Sequence, residues 1–155
     1  MRDRAVTNST CLIALERIDK LDLPPKLFTT VFAPPAVQDE LGCAFDWLQV
    51  RTPADPGAVA ALRTQLHAGE AETIALAMEL QDVSIILDDG KARRIAAQLE
   101  LDVIGTLGVL IAAKTRGFIE SVGGVIESLD QAGFRMSAEL RAEALQLAGE
   151  SHAIG

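Results

Sequence analysis

Two rhythms of apolar residues alternate along this chain. Apolar runs of strand length occupy residues 5–7, 29–33, 83–87 and 101–104; between them, apolar positions recur three and four apart, the spacing of one helical face. Residues 10–20 carry Leu12, Ile13, Leu15 and Ile18 on such a face and predict the first helix. Residues 21–25 read as a break. Pro34-Pro35 opens a short helix through Glu40-Leu41, because proline suits a first helical turn. Residues 47–51 predict a short edge strand, 53–57 a loop and 58–66 a helix. Gly69 is expected to end that helix, and a new one over 70–80 turns Ile74, Ala77 and Met78 to the core. The uninterrupted run at 83–87 has the character of a strand buried on both faces, and 101–104 is read as a fourth core strand. Further helices are expected over 91–99, from Gly105-Thr106 to Thr115 with Gly117 as its cap, and over 125–131 and 137–148.

Strands alternating with helices predict an α/β fold: a parallel sheet with helices on both faces. Ligands of such sheets bind at the carboxyl ends of the strands. The residues that follow the expected strands are Asn8, Pro34-Pro35 with Glu40 a helical turn on, Asp88-Asp89, and Gly105-Thr106. Glu70 and Glu72 open the helix that precedes the third core strand. Carboxylates gathered at strand ends are what a hard divalent cation requires.

Composition narrows the field. The 155 residues fit one domain, taken as 1–155, and at 49% apolar they can fill a core. There are no repeats and no linker-like tract. The longest apolar run, 103–113, is broken by Gly105, Thr106 and Gly108 and is too short to span a bilayer. With no apolar signal core near the N-terminus, the expectation is a cytoplasmic protein without a membrane segment. Cys11 and Cys43 sit among apolar neighbours and read as buried free thiols, and His67 and His152 do not cluster with them in a zinc pattern. A net charge of −8 argues against a protein that coats nucleic acid, yet leaves room for an enzyme that grips it locally.

Several of these residues also have ordinary structural uses. Asp89 can cap the following helix and Asp-Gly is a common turn, although two adjacent acids exceed what one cap needs. Glu70 and Glu72 suit the positive end of a helix. Asn8 and Thr106 can each serve as a helix cap. Lys91, Arg93 and Arg94 form a basic turn beside the acids, either a solvated face or a grip on phosphates.

The ordered set Thr7-Asn8-Ser9-Thr10-Cys11-Leu12, Pro34-Pro35-Ala36-Val37 through Glu40-Leu41, Gly69-Glu70-Ala71-Glu72-Thr73-Ile74, Leu87-Asp88-Asp89 with Arg93-Arg94, and Gly105-Thr106-Leu107-Gly108 resembles PIN-domain proteins, in particular an uncharacterised PIN-like subgroup of prokaryotes. The resemblance spans nearly the whole chain. It implies a three-layer α/β/α sandwich around a short parallel central sheet. It further implies Mg2+- or Mn2+-dependent cleavage of RNA, often as the VapC-like toxin of a pair whose small antitoxin protein holds it inactive. Carried over by position, the catalytic and metal-binding acids fall at Glu40, at Glu70 with Glu72 as competitor, and at Asp88 or Asp89. The first acid of the family falls at Asn8, with a hydroxyl kept at Thr10. Thr10, Lys91, Arg93, Arg94 and Thr106 are the expected RNA contacts. Asn8 keeps an oxygen but loses a charge, so weak metal binding and weak or absent cleavage are expected. A catalytically inactive PIN-fold binding or regulatory protein is the alternative. A phosphoacceptor receiver domain would need its acidic pair after the first strand, where this chain has Asn8. The apolar stripes at Ile111, Phe118, Ile126, Leu129, Phe134, Leu140, Leu145 and Leu147 raise the expectation of a homodimer.

Overall fold

All five strands of the sheet run parallel, in the order β3-β2-β1-β4-β5. In the computed structural model, which describes residues 1–150, they are β1 (Arg4–Thr7), β2 (Thr30–Ala33), β3 (Leu48–Val50), β4 (Ser84–Ile86) and β5 (Asp102–Ile104). The helices are α1 (Ser9–Arg17), α2 (Leu23–Leu27), α3 (Pro35–Leu41), α4 (Pro56–Arg63), α5 (Ala68–Leu80), α6 (Gly90–Gln98), α7 (Thr106–Thr115), α8 (Val122–Gln131) and α9 (Ala138–Leu147). From β1 the chain moves outward through β2 to β3, then returns through α5 to lay β4 on the other side of β1. The strand order therefore reverses between β1 and β4, and the crevice at the carboxyl ends of these two strands is where an open parallel sheet takes its ligand.

Alternation along each strand divides the core into two layers. Ala5, Val31, Ala33 and Ile86 pack on one face with Leu12 and Leu15 of α1, Val109, Leu110 and Ala113 of α7, and Ile126 and Leu129 of α8. Val6, Phe32 and Ile85 face the other way, onto Ile74, Leu76 and Ala77 of α5 and Ala92 and Ala96 of α6. Three layers result, as the resemblance implied. The buried strands are short and mostly apolar because both of their faces are covered; Thr7 and Ser84 are the buried polar exceptions among their residues.

Several elements differ from the sequence reading. Residues 21–25 are not simply a break: α2 begins at Leu23, and Pro24 fits its first turn. The expected loop at 53–57 holds the start of α4, whose Asp55 accepts from the Ala58 N–H at 3.1 Å. Gly69 does not end the preceding helix; it lies inside the first turn of α5. Met78 is exposed rather than core-facing: it lies in the last turn of α5, while Ala71 and Ile74 on the same side of the helix are fully buried. β5 is an edge strand of half-buried residues, not a core one. α8 starts at Val122, three residues earlier than periodicity suggested, because Ser121 accepts from Gly124 N–H at 2.9 Å and sets the boundary. Cys11 is buried as expected, and burial, helped by the nearby Asp88 charge, pushes its thiol up to about 12. Cys43 is exposed. Of the eight apolar residues read as candidates for burial or dimer contact, Ile126 and Leu129 are buried, and Phe118, Leu140 and Leu147 are exposed.

At the far end of the described chain, Glu150 closes the last helical layer. Its carboxylate accepts from Lys114 Nζ, from the Val122 and Gly123 N–H groups and from Ser121 Oγ. The Lys114 contact, then the two amides and the hydroxyl, hold its carboxyl down at about 2. Among the described residues no helix is long and apolar enough to cross a membrane.

Candidate functional site

Asn8 is the first residue beyond β1. Its N–H donates to the Ile86 carbonyl at 3.1 Å, so the β1–β4 ladder fixes its backbone. It stands at the N-cap position of α1, but its side chain makes no capping bond. Only 8% of the residue is exposed, and Oδ1 is buried with no hydrogen-bond partner among the described residues. A buried amide oxygen without a partner costs about 1–3 kcal/mol, a cost structures rarely leave uncompensated.

The surroundings of that oxygen are built from three other elements. The last turn of α3 brings in Glu40, whose Oε2 accepts from Ser9 Oγ at 2.6 Å. The first turn of α5 brings Gly69 and Glu70. A Cβ on Gly69 would stand 2.7 Å from Glu40 Oε1 and 3.4 Å from Asn8 Oδ1, so both oxygens lie against the bare Cα of this glycine. Asp89 arrives as the N-cap of α6, accepting from Ala92 N–H at 2.9 Å. Asn8, Glu40, Glu70 and Asp89, with Ser9, Thr10, His67 and Gly69, line one cleft of about 350 Å³.

The Glu70 carboxyl is raised above the usual carboxylate range, chiefly by burial, then by the neighbouring charge of Asp89; Glu40 adds to the rise, while the His67 amide and side chain oppose it. Glu70 thus meets the negative charges of Asp89 and Glu40 beside a buried oxygen with no donor among the described residues. Like charges held close in this way favour a cation between them. Among the described residues no group of three or more His, Cys, Asp and Glu side chains is arranged to hold a metal directly. A neutral amide oxygen and one or two carboxylates, with waters completing the shell, is nonetheless a donor set Mg2+ or Mn2+ accepts. The orphaned Asn8 oxygen and the Gly69 cradle fit such an ion.

The neighbouring acids divide differently from the sequence reading, which left Asp88 and Asp89 as alternatives. Asp89 lines the cleft. Asp88 turns away and holds the start of α7: its two oxygens accept from the Thr106 N–H at 2.8 Å and the Thr106 hydroxyl at 2.6 Å. Adjacent side chains point apart here because the chain leaves β4 still extended. Thr106 is therefore engaged with Asp88 rather than turned to the cleft. Arg93 is also engaged, with Nη1 donating to the Leu87 carbonyl at 2.7 Å and lying over Gly105. Asp88 and Arg93 line a separate groove of about 360 Å³ against α7 and α9. Glu72 does not line the cleft. Positions two apart on a helix differ by about 200° around its axis, so Glu70 and Glu72 cannot share a face. Thr10 is exposed at the rim of the cleft, and Lys91 and Arg94 are exposed on the first turns of α6.

His67 and Ser9 are lining residues that the sequence reading left out of the site, the hydroxyl having been placed at Thr10 rather than at Ser9. Weighed only against the cysteines as a zinc ligand, His67 has its real neighbour three residues on, at Glu70, across one helical turn. His152 lies outside the described residues.

A doubly wound parallel sheet with an acidic cleft at its switch point defines the class: a nuclease-like α/β/α fold. Residues 4–150 match a family described as the PIN domain, and the chain belongs to that family. Comparison with the curated proteins and with the solved structures finds no significant match. PIN domains usually use divalent metals, and membership points to RNA as the molecule bound.

Proposed function

We propose that this protein is a Mg2+- or Mn2+-dependent ribonuclease whose activity is weakened by Asn8. The observation that carries this reading is the buried, unpartnered Asn8 Oδ1 set against Gly69 beside Glu40, with Glu70 and Asp89 lining the same cleft. Asn8, Glu40 and Asp89 would hold the ion, with Ser9 fixing the Glu40 carboxylate in place. When bound, such an ion polarises a phosphoryl oxygen and lowers the pKa of water. Glu70, already raised by burial and by Asp89, takes the proton of the attacking water. The water oxygen bonds to phosphorus as a phosphate–nucleoside P–O bond breaks. Lys91 and Arg94, exposed on α6, stand where they can meet the flanking phosphates.

The test is RNA cleavage in Mn2+ by the native protein and by single-alanine variants. Glu70→Ala and Asp89→Ala are expected to abolish turnover while the protein stays folded. Asp88→Ala is expected to lower thermal stability, by about 1–2 kcal/mol for loss of a helix cap, before it changes chemistry. Equal turnover in the native protein and in Asp89→Ala would remove the cleft from the reaction.

A second reading keeps the fold and drops the chemistry: a binding or regulatory PIN domain. It is favoured by Asn8 in place of the expected acid and by the absence, among the described residues, of a ready three-ligand group. Under either reading the protein would be the toxin-derived half of a pair with a small antitoxin, a role that rests on the sequence resemblance alone and is checked by co-purification with the product of an adjacent open reading frame. The exposed Leu140 and Leu147 of α9 support a homodimer, and a clean monomer by light scattering at high concentration would refute it.

A further inference from the structure

The helix-starting residues of this protein fall into two kinds. Asp55, Asp89, Ser121 and Ser137 each accept a backbone N–H and so hold the helix they open. His67 opens α5 and, like Asn8, Asp22, Pro34 and Gly105 at the helices they open, makes no side-chain capping bond. It is exposed, so it does no packing work either. Its imidazole nonetheless lines the cleft with Asn8, Glu40, Glu70 and Asp89, close enough to Glu70 to act on its charge. Among the described residues it is the one basic side chain lining that cleft.

The charge balance of the cleft says what such a group is for. Glu40, Glu70 and Asp89 together carry −3 when ionised, and a divalent cation leaves −1 facing a phosphodiester that is itself negative. Asn8 limits this repulsion, since an acid there would add a further charge. A donor is still needed on the substrate's side of the cleft.

We propose that His67 binds the scissile phosphate, donating an imidazole N–H to a non-bridging oxygen, and so is a substrate-binding residue beyond the acidic set. This rests on the ribonuclease reading above. Imidazole carries an N–H in both of its protonation states, so the contact does not depend on titration. The ligand class is a phosphodiester strand seated with one phosphate between His67 and Asn8.

The experiment measures two affinities on the full chain. Binding of a fluorescein-labelled, 2′-O-methylated oligoribonucleotide is read by anisotropy in Mn2+, and binding of Mn2+ alone by calorimetry. His67→Ala is expected to weaken oligonucleotide binding about tenfold, the worth of one charge-assisted hydrogen bond, with Mn2+ affinity unchanged. His67→Gln, which keeps an N–H donor, should recover most of the loss. Because His67 neither caps α5 nor packs in the core, both variants should fold. Unchanged oligonucleotide affinity in His67→Ala, with the native protein binding both probes, overturns this proposal alone. A fall in Mn2+ affinity in His67→Ala also overturns it and makes the residue a metal ligand. A native protein that binds neither probe fails the ribonuclease reading itself, and this proposal with it.

Discussion

Asn8→Asp is expected to raise Mn2+ affinity and RNA cleavage about 10–100-fold over the native protein, a range set by what perturbing a supporting residue of a metal site costs. The side-chain oxygen at this position is already buried, already unpartnered and already against Gly69. The substitution therefore adds charge without moving the donor. It also has a cost when no ion is bound. Asn8 is 8% exposed, and a carboxylate there would face Glu40, Glu70 and Asp89 with little water to screen it. The metal-free variant should melt below the native protein, and Mn2+ should raise its melting temperature more than it raises the native one. Calorimetric titration, a cleavage assay and thermal melts with and without Mn2+ measure all three effects. If Asn8→Asp shows no gain in Mn2+ affinity, the cleft is not a cation site. In either protein, affinity should weaken on acidification sooner than unshifted carboxylates require, because protonation of the raised Glu70 removes a negative charge beside the ion.

Gly69→Ala is expected to remove ion binding, by at least tenfold in Mn2+ affinity, while leaving the protein as stable as before or slightly more so. Inside a helix, alanine is favoured over glycine by about 1 kcal/mol, and Gly69 sits in the first turn of α5. The new Cβ would stand 2.7 Å from Glu40 Oε1. That oxygen is the free end of a flexible side chain and can swing away cheaply, but doing so breaks the 2.6 Å bond from Ser9 and carries a ligand out of the cleft. Stability and function are thus predicted to move in opposite directions, which separates this effect from ordinary misfolding. A variant that loses several kcal/mol, or one that binds Mn2+ as the native protein does, would show that Glu40 is not where the ion is held.

Much of the site was legible in the order of residues alone. In the candidate site, Asn8 and the acidic pair follow strands, Glu70 begins a helix and Glu40 lies at the end of the short helix after the second strand, a pattern that an α/β sheet explains. The choice within pairs was not legible. Asp88 and Asp89 are chemically identical neighbours, and which one faces the cleft depends on Thr106, eighteen residues away, whose amide and hydroxyl claim Asp88. Glu70 and Glu72 differ only by their phase around α5, which was uncertain while Gly69 was read as a break rather than as part of the first turn. His67 was passed over because no local pattern marks a residue that caps nothing and packs against nothing.

Local periodicity, the apolar strand runs and the turn residues determined the element order, the parallel sheet and the rim on which chemistry could occur, because these follow from spacings of two to four residues along the chain. Which oxygens share a cavity, which acid is diverted to hold α7, and the isolation of Asn8 Oδ1 were decided only when β1 and β4 paired and α3, α5 and α6 closed over their ends. Such contacts join positions dozens of residues apart, and their energies depend on distances that no local spacing encodes.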